Sequence, residues 1–437
     1  MFPPIADTAL SVSRSYGDLP PEDWIRMSVR FAHPDDFRRL WLGQTVSAFG
    51  DKISRIALPT VALLDLHGTA WDVGLLAAAR FLPFVLIGAV AGVWVDRVSR
   101  RRTMILADVG RMVATASVPL AAVLGGLTMA HLFAVAGVVG VLTVFFEVAA
   151  QSYMPVLAGP EGITAGNERL QSSRGAAEVG GSAAAGGLMD LLGNALAVLV
   201  DALSFVASLV TLLLIRHREP LVEKVSTRGA VREGWRVLLA DGRLRNLMFA
   251  TAVVNLGLAT GGAIVLVFAY RDRGLGPGAV GVAAALGTIG FIAGAVSART
   301  IARWIELGRT LALAIVVTGL GFVLPVLGES AVALPMLIAG QFVFGFAGSV
   351  FNVHVLSLVQ RITPAAMLGR VNGTALSVVW GTGTVGGLVG GVVGSAVGGA
   401  AGLVVAGGIV CCGALFVVFG PLRTVQPEPS GAPASRL

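Results

Sequence analysis

One stretch ends a long apolar run with an acid and four arginines: Gly88-Ala-Val-Ala-Gly92-Val-Trp94-Val-Asp96-Arg97-Val-Ser99-Arg100-Arg101-Arg102. A carboxylate placed there can dock on the unpaired amides of a helix start. Arginines are costly to carry across a bilayer and hold their loop on the cytoplasmic side. Asp96 is therefore expected to latch onto a later helix that starts near Leu368 to Asn372. Gly92 would admit the close approach, and Arg97, Arg100 and Arg101 would pair with acids or lipid phosphates. The competing reading is a plain topological anchor.

Other ionisable residues lie within apolar segments, where each costs about 2.5–3.5 kcal/mol at mid-membrane and so must face a partner or a wet cavity. Asp51 and Arg55 are four apart on one helical face and can neutralise each other. Asp51 is a candidate for proton or cation binding tuned by Arg55, against a purely structural pair. Glu147 has no base within a helical turn, and an unpaired buried carboxylate exchanges protons near neutral pH, so it is the first candidate for proton coupling. Glu178 has Arg174 four residues before it and reads as a satisfied pair. Arg80 is open to three partners: an anionic group, Asp51 or Asp201. Asn255 and Gln341 are polar groups left inside later spans; they can bind a substrate or tie helices together.

The elements that must carry these residues are membrane helices. Of 437 residues, 55% are hydrophobic and 13% charged, and the mean hydropathy is +0.82, far more apolar than a soluble protein. Apolar runs of about 20 residues recur along the chain, long enough for helices and too long for barrel strands. Six spans are expected near 37–66, 72–95, 103–127, 130–153, 169–192 and 194–215, and six more near 246–270, 277–302, 309–328, 331–357, 370–394 and 398–421. Residues 1–36 read as a cytoplasmic extension, 37–215 and 246–421 as two bundles, 216–245 as a linker with an amphipathic helix, and 422–437 as a disordered tail. The fold class expected is all-α integral membrane, twelve transmembrane helices in two six-helix pseudo-symmetric bundles.

With both termini inside, the only bases on outer connections are Arg271 and Arg273, and Lys52, Arg55 and Arg80 lie within spans; the other bases of the 32 fall on the cytoplasmic side. The net charge of +7 is explained by this topology, with no nucleic-acid partner. The halves also match. A shift of 205 residues places Glu147 on Asn352, Gly181 on Gly386 and Gly186 on Gly391, and a shift of 207 places Gly74 on Gly281. Such repeats enclose a site near mid-membrane in transporters. Cys411 and Cys412 are adjacent in an apolar run and read as packing residues. Neither a phosphate-binding loop nor a His-Glu-x-x-His metal motif occurs, so no cofactor, ATPase or metalloenzyme is expected.

From residue 37 to 421 the chain resembles the major facilitator superfamily, whose loop between spans two and three runs Gly, any, Leu, small, Asp, Arg, any, Gly, Arg, Lys or Arg. Gly92, Asp96, Arg97, Arg100 and Arg101 match, while Trp94 and Ser99 replace the Leu and second Gly. Leu40-Trp41-Leu42-Gly43-Gln44, Phe49-Gly50-Asp51, Phe145-Phe146-Glu147 and Gln151-Ser152-Tyr153-Met154-Pro155 are similar to the twelve-span macrolide and siderophore exporters. The fifth-span Gly-Pro of antiporters and the fourth-span arginine of many drug/proton antiporters are absent. The resemblance implies a monomeric multi-pass protein of the cell membrane that exchanges protons for an amphiphilic small molecule by alternating access. An uptake symporter or a lipid flippase of the same fold is the alternative.

Overall fold

The computed structural model describes residues 31–95, 97–217, 230–363 and 367–421. Most of the expected extension, residues 218–229 of the linker, all of the tail and Asp96 itself lie outside them. Among the described residues the chain is helical without strands: α1 (Pro34–Thr60), α2 (Ala70–Val95), α3 (Arg100–Val123), α4 (Met129–Leu192), α5 (Asn194–Leu214), α6 (Ala230–Ala240), α7 (Gly242–Val267), α8 (Pro277–Trp304), α9 (Leu307–Leu327), α10 (Ala333–Ile362) and α11 (Leu368–Val418).

Two of these are double. In α4, Gly159 adopts φ 71°, ψ 167°, and in α11, Gly398 adopts φ 80°, ψ 175°, a region that a side chain resists and glycine enters freely. Glu147 and Arg174 flank Gly159 at a distance and are nevertheless paired at 3.0 Å, so the two limbs of α4 run antiparallel. Spans four and five therefore meet at one residue instead of across the longer connection expected from sequence. The carbonyls left open before this corner, Leu157 and Ala158, accept the amides of His33 and Ala32, each at 3.0 Å. Six spanning limbs precede α6 and six follow it.

Among the described residues nine helical stretches are long and apolar enough to cross a membrane. α1 and the second limb of α4 fall short because of Asp51, Lys52, Arg55, Arg174 and Glu178. These two limbs neutralise each other, with Lys52 on Glu178 at 2.5 Å and Arg55 bonded to the same carboxylate. On α3, Leu106, Val113 and Leu120 are exposed while Asp108, Arg111 and Thr115 are buried, the polarity expected of a helix with lipid outside and protein inside.

The repeat is visible in detail. α1 ends in a widened π-turn at Val61–Asp65 and α7 in another at Phe268–Asp272, which a 207-residue shift superposes. The corner glycine between α4 and α5, Gly193 at φ 89°, falls on Gly398 with a shift of 205. Separate apolar cores fill the first half, around Leu132 and Tyr153, and the second, around Phe322 and Val410. α6 does not merely lie on a membrane surface: Leu238 is buried with Leu244, Met248 and Val371 at the base of the second half.

Candidate functional site

The halves meet through α2 against α11 and the second limb of α4 against α8. At one end the contact is backbone on backbone. A Cβ on Gly74 would meet the carbonyl oxygen of Gly387 and come within 3.0 Å of Gly391 Cα, and one on Gly281 would come within 2.8 Å of Gly186 Cα. The glycines matched by the repeat are thus each other's mirror contacts, Gly74 with Gly391 and Gly281 with Gly186. A shared cluster with Leu63, Val73, Val267 and Val280 seals the same end.

Polar bonds reinforce that seal. Thr60 Oγ1 and Tyr270 Oη are 2.9 Å apart and buried, and Arg271 donates to the Gly68 carbonyl. Asp190 accepts the Gly278 amide at the start of α8 at 3.2 Å, a carboxylate on a helix N-terminus. The charge-and-dipole contact foreseen for Asp96 is thus seen at the opposite end, on a residue that sequence reading passed over. Arg271 and the Arg273 beside it, which bonds Val326 O at 3.1 Å, are both spent on carbonyls, which accounts for the two bases on an otherwise base-poor side.

Away from this end the helices part. Phe84 stacks on Trp380 at 4.5 Å, and beyond it side chains built on Gly88, Gly92, Gly373 and Gly381 would meet no atom within 4 Å. Among the described residues, then, Gly92 is met by no neighbour close enough to need a glycine. Among the described residues Arg101 meets carbonyls and no acid: it caps α5, donating to Leu212 O at 2.8 Å and Leu213 O at 2.7 Å, and Arg39 caps Leu214 O at 2.8 Å. Arg97 is exposed, and Arg100 is the first residue of α3.

Between seal and opening lies a chamber of about 510 Å³ lined by Asp51, Arg55, Arg80, Glu147, Arg174 and Glu178, with Trp380 from the second half. Asp51, Arg55, Glu147, Arg80 and Glu178 do come together, but with other partners than expected. Glu147 is bonded by Arg174 from across the corner at 3.0 Å. Glu178 takes Lys52 and Arg55 instead of Arg174. Asp51 faces Arg80 at 3.7 Å instead of Arg55, and is one of the three partners that the sequence left open for Arg80. Pairing within one helix was the wrong rule because packed helices bring closer partners: the two limbs of α4 join Glu147 to Arg174, α1 reaches Glu178, and α2 brings Arg80 to Asp51.

Asn255 and Gln341 line neither this chamber nor the recess next to it. Asn255 bonds its own helix at Thr251 O, 2.9 Å, and Gln341 packs against Gly287, where α8 meets α10. The residues missed are Asp108 and Arg111. Assigned by topology to the cytoplasmic side, Arg111 is instead 1% exposed within α3. It is bonded to Asp108 and lies between the rings of Phe146 at 4.1 Å and Phe205 at 4.5 Å. Asp108 also accepts Ser208 Oγ at 2.7 Å. The i, i+3 spacing of an acid and a base on the buried face of α3 was the available signal.

An apolar recess of about 230 Å³ adjoins the chamber toward the sealed end and shares Arg55, Arg80 and Phe81 with it. Leu76 and Val139 of the first half and Ala259 and Leu266 of the second line it. A charged room opening into an apolar one suits a molecule with a polar head and a greasy body.

The family model described as Major Facilitator Superfamily matches residues 40–334. "Multidrug efflux pump Tap" of Mycolicibacterium fortuitum is 26% identical over 356 residues, 77% of this chain and 84% of that one. "Uncharacterized MFS-type transporter YfiS" of Bacillus subtilis (strain 168) is 23% identical over 406 residues, 90% and 94% of the two chains. Among solved structures, the nucleoside transporter NupG superposes with a TM-score of 0.72 at 14% identity, covering 88% of this chain and 98% of that one.

Proposed function

The chain belongs to the Major Facilitator Superfamily, and on that premise we propose that this multi-pass membrane transporter is a proton-driven exporter of amphiphilic small molecules. It acts as a monomer in the cell membrane with both termini in the cytoplasm. The observation that supports this best is the charged chamber continuous with an apolar recess, set between two halves that are sealed at one end and parted at the other. The base-poor sealed end faces outward, by the charge asymmetry of the loops, so the chamber opens to the cytoplasm. The relative named as a multidrug efflux pump supports the direction.

Coupling runs through Glu147. Ionised, it holds Arg174 and so ties the two limbs of α4 together inside the chamber. Protonated, it loses the charge that makes the bond strong, and Arg174 is released toward water. Proton arrival from outside and departure to the cytoplasm then alternate with substrate binding, as alternating access requires.

Compounds that raise resistance when the chain is expressed in a drug-sensitive bacterium serve as probes in everted vesicles. Adding them should release protons from the acidified lumen, and Glu147→Gln should lower that release about tenfold or more. Proton entry with the compound would mean uptake by symport. Release undiminished in Glu147→Gln would remove Glu147 from the coupling.

A further inference from the structure

The mouth of the apolar recess is unbalanced. Among the described residues Arg55 and Arg80 are the charged ones that line it, and no carboxylate does. A molecule that buries its apolar body between Leu76, Val139 and Leu266 must therefore set its head against two guanidinium groups. Every acid nearby faces the chamber or is engaged elsewhere: Glu178 with Lys52 and Arg55, Glu147 with Arg174, Asp108 with Arg111 and Ser208. Asp201 is 2% exposed and accepts Ser204 Oγ at 3.3 Å.

Arg80 is the less committed of the two. Its nearest acid, Asp51, stands at 3.7 Å, beyond hydrogen-bond reach. Among the described residues no hydrogen bond from Arg80 is seen, although its side chain is 23% exposed into the cavity. A guanidinium offers five N–H donors in a planar fork that matches carboxylate, sulfonate and phosphate oxygens. Arg80 holds that fork at the boundary of both rooms. Phe81 beside it and Trp380, 5.5 Å from the Phe81 ring, supply flat faces for an aromatic body.

We propose that the recess with Arg80 at its mouth selects amphiphiles with an anionic head, a carboxylate, sulfonate or phosphate monoester, over cationic ones. This deepens the exporter reading of the same site and rests on it for physiological meaning. Head-group choice itself is an equilibrium property that needs neither a direction nor a coupling ion. An anion leaving the cytoplasm also moves with the inside-negative potential, so export of this class is driven by voltage as well as by protons.

The full chain in nanodiscs of zwitterionic lipid is titrated by calorimetry, without any gradient, with three probes that share one ring system: naphthalene-2-sulfonate, 2-naphthyl-trimethylammonium and 2-naphthalenemethanol. Empty nanodiscs are subtracted. The sulfonate should bind about tenfold or more tighter than the cation. Arg80→Gln should weaken the sulfonate by a similar factor and leave the neutral alcohol within about twofold, while Arg80→Lys should keep the anion preference. Ala259→Leu, which fills the recess, should weaken all three.

A cation bound as tightly as the sulfonate would overturn the proposal, as would sulfonate affinity unchanged in Arg80→Gln or all three affinities unchanged in Ala259→Leu. Should Arg80→Gln fail to assemble, the wild-type ranking and Arg80→Lys still decide. Failure of the exporter reading is registered separately, as absent or reversed proton movement in everted vesicles while this ranking stands.

Discussion

Asp108 and Arg111 are the most deeply buried charges of the first half, with side chains 0% and 2% exposed. Removing one partner of such a pair strands the other in a medium that solvates it poorly, a loss of about 3–5 kcal/mol, whereas removing both can be neutral. Asp108→Asn should accordingly lower the thermal unfolding temperature in detergent, and Asp108→Leu with Arg111→Met should recover most of it. Equal instability of the single and double variants would mean that packing, not charge, is at stake. Asp36, just before the first span, titrates differently. Burial pushes its carboxyl up, but the amides of Arg216 and His217 and the Arg39 guanidinium outweigh burial and hold it below the usual carboxylate range. A lowered folded-state value stabilises at pH above the unfolded value, about 3.9, and the gain is lost as pH falls through the folded one. Asp36→Asn should thus destabilise the α1–α5 junction at neutral pH and flatten its acid sensitivity, read by hydrogen exchange at Arg216 and His217. At this scale the sequence disclosed several groups that carry charge within the membrane, though not Asp108 and Arg111, and did not disclose whom they face. Glu147 looked unpaired because its base, Arg174, lies on the far side of a glycine corner.

Helices were legible to within a few residues at most of their ends, though not where spans four and five meet, since apolar length and basic loops are strong constraints in a bilayer. What could not be read was the sharpness of the corners: Gly159 and Gly398 compress a connection into one left-handed residue, and no periodicity marks that. The glycine contacts were half legible. The repeat singled out Gly74, Gly281, Gly186 and Gly391, yet only the folded chain reveals that the matched residues touch crosswise. The approach leaves no room for a side chain, so Gly281→Val should force α8 from the second limb of α4 and open the sealed end. Transport should fall about tenfold or more, as expected when one state of a two-state device is disfavoured by roughly 1.4 kcal/mol or more. Labelling of a cysteine placed at Val280, which is buried in the sealing cluster, by a membrane-impermeant maleimide should rise in parallel. Unchanged labelling and transport would show that this contact is not a gate.

The whole molecule is two similar bundles with unequal chemistry. Among the described residues the ionisable groups that line the chamber and the recess come from the first half, while the second lends Trp380, Ala259 and Leu266 to the walls. The bundle architecture followed from spacing and charge, and the family from the matched motif around Asp96 and Arg97. The recess did not, because its apolar lining residues look like any other membrane-buried side chain until two halves are brought together. Rocking of these bundles about the chamber is the central physical claim, and the seal of glycines at one end with open space at Gly92 and Gly373 on the other is one of its two states.

The most direct measurement is a pair of spin-label distances in nanodiscs, in a background with Cys411 and Cys412 changed to alanine. One pair, Gly92→Cys with Gly373→Cys, spans the open end, and the other, Leu191→Cys with Gly276→Cys, spans the sealed end. Shifting from pH 8 to pH 6 should populate a second state in which the first distance shortens as the second lengthens. Two distances that stay fixed, or that lengthen together, would contradict alternating access in this chain.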